Sequence, residues 1–210
     1  LYGDTFDGAQ LQYKGDSFAL TGGYGKFKES NLAGVSGDDG TEAVKTGYGL
    51  IEGFFGNGSA IGGYYNDFSA GDSFRFDDAW GAYASINLGT NWNALANYEK
   101  YNSESGNQDP EIWVGKLTYG AANFATPKSW DIWVEYLNAD QLGFDGTFLG
   151  STNGWRNDNL TSNVKSWGAG IDYTFAKNAQ FQVMQSFASE AKTGDNDPGE
   201  ETRAQFVFVF

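Results

Sequence analysis

Apolar and polar residues alternate with a period of two along most of the chain, the pattern of strands with one face in an apolar environment. In WGAYASINL, Trp80, Ala82, Ala84, Ile86 and Leu88 fall on one side, and Gly81, Tyr83, Ser85 and Asn87 on the other. WNALANY, WDIWVEY and SWGAGIDYTF follow the same plan, with Trp130, Ile132, Val134 and Tyr136 opposite Asp131, Trp133 and Glu135. The apolar side tends to begin or end on an aromatic residue. The alternation predicts about eleven strands, at residues 8–14, 17–27, 44–56, 59–69, 79–89, 92–103, 112–123, 130–142, 164–177, 180–192 and 202–210. Their length of roughly ten residues exceeds the usual five or six of a soluble sheet and suits a tilted membrane strand.

The connections alternate in length. Short turns (KGD at 14–16, GNGS at 56–59, GTN at 89–91, KNA at 177–179, and FATPKS at 124–129 as the longest) alternate with polar loops near 28–43, 70–78, 104–111, 143–163 and 193–201. Short turns on one rim and long loops on the other are the layout of a transmembrane antiparallel β-barrel. A soluble sandwich or solenoid would explain the alternation of residues but not that of the loops. Eleven antiparallel strands cannot close without one parallel seam, whereas single-chain bacterial barrels have even strand numbers. The expectation is that residues 1–210 are the C-terminal portion of one larger barrel domain of roughly 16 strands. Leu1 in place of Met reads as a processed or cut N-terminus.

Composition agrees with an all-β chain: 30 glycines and 17% aromatic residues, with 3 prolines and 1 methionine. No histidine and no cysteine are present, which removes Ser-His-Asp and Cys-His catalysis, imidazole and thiolate metal sites, and disulfides. A net charge of −14 argues against nucleic acid as a partner. No apolar run approaches the roughly 20 residues of a membrane helix.

The last seven residues, AQFVFVF, place Phe206, Phe208 and Phe210 on one side and Val207 and Val209 on the other. This stretch resembles the C-terminal insertion signal of bacterial outer-membrane porins. The resemblance implies an integral protein of the bacterial outer membrane. Its last strand would be read by the barrel-assembly machinery and then pair with the first strand to close the barrel. LYGDTFDGAQLQY (1–13) and the GGYG-type strands further resemble porins linked to S-layer-homology domains in diderm Firmicutes. Those porins tether the outer membrane to the cell wall through an N-terminal domain that is not among the 210 residues. Membrane lipid, small hydrophilic solutes and a homotrimeric assembly are the partners that the family implies.

The alternation puts Glu99, Lys116, Asp131, Glu135 and Asp172 on the polar side, where they would line a water-filled path. With 27 acids against 13 bases, that path is expected to prefer cations. Long loop 144–163 carries Phe148, Trp155 and Arg156, residues unusual in a solvated loop, and is the candidate either to fold inward and narrow the pore or to pack on the extracellular rim or a neighbouring subunit. Asp195 and Asp197 have alternate spacing but lack a glycine-centred loop with a closing Glu, so no metal site is expected. Asp131 and Glu135 share a face without a pocket signature, and no cofactor or enzymatic activity is expected.

The leading expectation is a channel for passive diffusion of ions and small hydrophilic solutes. A structural or adhesion barrel with a plugged pore is the alternative. A secreted β protein that binds carbohydrate through Trp and Tyr is a third reading, and it predicts solubility without detergent.

Overall fold

The structure, a computed structural model, describes residues 6–27, 45–69, 76–103, 109–141, 155–156, 160–194 and 196–210. These residues are almost entirely strand and turn. The strands are β1 (Phe6–Lys14), β2 (Phe18–Phe27), β3 (Lys45–Phe54), β4 (Ala60–Ser69), β5 (Phe76–Leu88), β6 (Trp92–Ser103), β7 (Glu111–Gly120), β8 (Trp130–Ala139), β9 (Val164–Ala176), β10 (Ala179–Ala191) and β11 (Thr202–Phe208). They form one antiparallel sheet in which each strand neighbours the next in sequence, with β1 and β11 as its end strands, and the sheet is not closed into a barrel.

The strands form where the alternation predicts them. β7 ends earlier than expected, at Gly120 (φ +89°), because the backbone there leaves the ladder. The next amides go to Trp130 O (from Ala121, 3.0 Å) and to Asp131 Oδ2 (from Ala122, 2.8 Å).

The chain divides into two compact units. The first comprises Leu1–Ala84 and Tyr98–Glu111, the second Ser85–Asn97 and Ile112–Phe210. In the first, Gln10, Gly23, Tyr48 and Asn66 lie side by side on one face, and Tyr13, Leu20 and Ile51 on the other. Leu11 is 83% exposed, while Asn66 is buried.

The second unit repeats this inversion more fully. Asp131, Asp172, Gln182 and Gln205 form a row across β8 to β11, and Glu135, Gly168 and Ser186 form another. The opposite face carries the row Trp130, Tyr173, Phe181 and Phe206, and the row Tyr136, Trp167 and Phe187. Aliphatic residues, among them Leu117, Ile132 and Ile171, lie between the two aromatic rows. Glu135 and Ser186 are thus buried, alongside Trp133 and Met184, while Trp130, Trp167, Ile171 and Phe206 stand 42–64% exposed. In water this is the reverse of the usual distribution.

Candidate functional site

The polar face of the second unit gathers four of the five polar-side residues expected from the sequence. β8 presents Asp131 and Glu135, β7 presents Lys116 directly opposite Glu135, and β9 presents Asp172 directly opposite Asp131. Two carboxylates in such direct opposition repel when both are ionised. Lys116 Nζ stands 4.4 Å from the centre of the Trp133 ring, a cation–π contact on the same face.

Trp155 and Arg156, from the long connection between β8 and β9, lie on this face. Arg156 Nε is 3.0 Å from Glu135 Oε1, and both side chains are fully shielded from solvent. Arg156 Nη1 donates to Ser166 Oγ at 2.9 Å, and Arg203 Nη1 donates to the Trp155 carbonyl at 3.2 Å. The Trp155 ring lies 4.5 Å from the Arg156 guanidinium carbon and 5.6 Å, centre to centre, from Trp133. Gly168 and Gly170 make the seat: a Cβ on Gly168 would overlap the Trp155 indole, and one on Gly170 would overlap that of Trp133. Met184 completes the apolar cluster around the two indoles.

The guanidinium also joins a hydrogen-bonded relay. Ser166 Oγ lies 2.8 Å from Ser189 Oγ, and Ser189 Oγ donates to Glu200 Oε2 at 2.9 Å. Ser186 Oγ also donates to Glu200 Oε2 (2.9 Å), and the Ser189 amide donates to Oε1 (3.0 Å). Burial pushes the Glu200 carboxyl up, but the Ser189 amide, the two hydroxyls and the Arg156 charge outweigh it and hold it below the usual carboxylate range. The relay therefore runs from the loop before β11 to Glu135 on β8.

Glu99 belongs to the first unit. It is fully buried on β6, and the hydroxyls of Tyr64 and Tyr101 donate to it. Tyr83 donates likewise to Glu52 Oε1. The rings of Tyr64 and Tyr83 lie over Gly81 and Gly62, so these tyrosines reach across a neighbouring strand to a carboxylate. Both units thus place aromatic side chains over glycines on the face that carries the acids.

Phe148 and Asp195 lie outside the described residues. Asp197 accepts a hydrogen bond from the Ala191 amide at 3.0 Å, and no group of three potential metal-ligating carboxylates occurs among the described residues. Phe206 and Phe208 are exposed on the apolar face, where Phe206 packs 4.9 Å from Phe181, and Phe210 follows the end of β11.

The tryptophan seats and the serine–Glu200 relay were not read from the sequence. The signal for the first is WGAG (167–170), which puts two glycines in succession on the polar side beside Trp133. Neither a protein-family model nor a curated protein sequence matches this chain.

Proposed function

We propose that the chain is part of an outer-membrane β-barrel that forms a cation-preferring channel for passive diffusion of ions and small hydrophilic solutes. The observation that carries this reading is the inverted distribution of residues. A carboxylate is buried on one face of each unit, Glu99 in the first and Glu135 in the second, while large apolar side chains stand exposed on the other. Lipid is the solvent that makes such an exposed face favourable, and a wet interior makes the polar face favourable. Two aromatic rows with aliphatic residues between them match the girdles of a membrane strand band. No described helix is long and apolar enough to cross a membrane, which leaves strand-built spans untouched.

Closure into a barrel of roughly 16 strands needs further strands beyond the eleven. Asp131 and Asp172 on the polar face supply the negative field that attracts cations, and Lys116 and Arg156 temper it. The burial of Trp155, Arg156 and Glu135 together favours a second reading, in which the segment at 155–156 closes the path and the barrel is structural.

Conductance of the detergent-purified full-length protein in a planar bilayer, under a salt gradient, separates the readings. Stable steps with a cation-selective reversal potential support the channel. Insertion without conductance supports the closed barrel, and a protein soluble and monomeric without detergent removes both.

A further inference from the structure

The apolar face of the second unit carries a groove of about 530 Å³. Tyr119, Ile132, Val134, Ala169 and Val183 line it, with Trp92 contributing as well. Its volume falls in the range of ligand sites, roughly 300–1,000 Å³. Ile132 and Ile171 stand out from the sheet at 43% and 53% exposure, while Val134, Ala169 and Val183 are half-buried. The shorter side chains thus make the floor of a hydrocarbon trough.

At Tyr119 the groove meets a pocket of different chemistry. This second space, about 260 Å³, is formed with Asn91, Gly120, Ala121, Lys128, Ser129 and Trp130. Tyr119 packs against Trp92 (4.8 Å) and Trp130 (5.9 Å), so aromatic rings mark the junction. The Lys128 backbone is fixed there by its amide, which donates to Thr174 O at 2.7 Å. Its side chain is exposed and forms no ion pair with a described residue. The charge at this end is also unlike that of the chain as a whole. The short connections 89–91, 121–129 and 177–178 contain Lys128 and Lys177 and no acid, in a chain with 27 acids and 13 bases.

We infer that this corner binds one anionic glycerophospholipid, with its phosphate at Lys128 and an acyl chain in the groove. The inference rests on the membrane reading above. The pieces stand in the order such a molecule needs: a cation outside the aromatic row, rings at the glycerol level, and a hydrocarbon trough along the aliphatic band. Charge complementarity selects the headgroup, because Lys128 and Lys177 are the only ionisable side chains in these turns.

The test reconstitutes the full-length protein in phosphatidylcholine nanodiscs that contain phosphatidylglycerol, releases it into mild detergent and counts retained lipids by native mass spectrometry. One phosphatidylglycerol per chain is expected to persist in preference to phosphatidylcholine. Lys128→Gln should lower that retention about fivefold, the worth of one lysine near an anionic lipid. Ala169→Trp fills the trough without changing charge and should abolish retention; Val183→Trp serves if that variant fails to fold. Equal retention of both lipids, or retention indifferent to Lys128→Gln, overturns the headgroup assignment. Retention indifferent to the tryptophan variants overturns the groove. Disulfide formation between copies of an Ala169→Cys variant, with no lipid retained, assigns the groove to a subunit contact instead. A protein that does not float with liposomes overturns the membrane reading itself, a result distinct from all of these.

Discussion

Arg156 and Glu135 form an ion pair, 3.0 Å from Nε to Oε1, in which neither side chain meets solvent. Desolvation offsets most of the attraction in such a pair, but removal of one partner leaves the other charge buried and uncompensated. We expect Arg156→Met to destabilise the folded protein by about 3–5 kcal/mol. The double variant Glu135→Gln with Arg156→Met should recover most of that loss. Urea unfolding in detergent, followed by tryptophan fluorescence, reads both; equal losses in the single and double variants would show that the pair is not coupled.

Gly168 leaves room for the Trp155 indole and for nothing larger. Gly168→Ala should displace the indole and cost about 1–3 kcal/mol, as overpacking of a close contact does. Trp155→Ala should make the same glycine substitution nearly neutral. Iodide quenching supplies a second measure, since an expelled Trp155 becomes accessible. Additive losses in the two variants would mean that the seat has another cause.

Asp131 and Asp172 face each other and share their side of the sheet with Lys116. If that side lines the channel, Asp131→Asn with Asp172→Asn moves the reversal potential under a salt gradient toward that of a non-selective pore. Lys116→Gln moves it the other way. Both effects should shrink at 1 M salt, where the Debye length is about 3 Å. A reversal potential unmoved by either change would place the selectivity elsewhere.

Glu200 gives the loop before β11 a dependence on pH. Its carboxyl is held below the usual value, so its bonds to Ser186 and Ser189 contribute stability above the unfolded-state value of 4.5. That contribution is lost as pH falls through the lower folded-state value. Glu200→Gln should remove the acid-side dependence. Hydrogen exchange of the 186–190 segment, compared between wild type and variant at the same pH values, checks this. Wild type should be the better protected at neutral pH, and the two should converge in acid.

Much of the fold was legible because period-two alternation fixes both the strands and their faces. Trp130, Ile132 and Tyr136 on one side of β8, and Asp131 and Glu135 on the other, follow from parity alone. The relay did not, because β10 breaks that parity. An irregularity between Phe187 and Glu190, with Ala188 at φ +51°, shifts the register and turns Ser189 to the side of Ser186. Strict alternation would have placed Ser189 with Phe187, away from Ser166 and Glu200. Arg156 offered only its residue type and its loop; its partner became visible through the glycine space that lets Trp155 approach the sheet.

The seat of Trp155 also draws its parts from well-separated places in the chain. Its floor is Gly168 on β9, its neighbour Arg156 is tied to Glu135 on β8, and its carbonyl is held by Arg203 on β11. Among the described residues each strand neighbours the next in sequence, so β9, β10 and β11 follow one another in the sheet as in the chain. Residues 155–156 precede three of those strands in the chain, yet their last anchor arrives with the eleventh. The full set of anchors is therefore complete only once β11 has joined, and a chain stalled before β11 would lack the Arg203 contact to the Trp155 carbonyl.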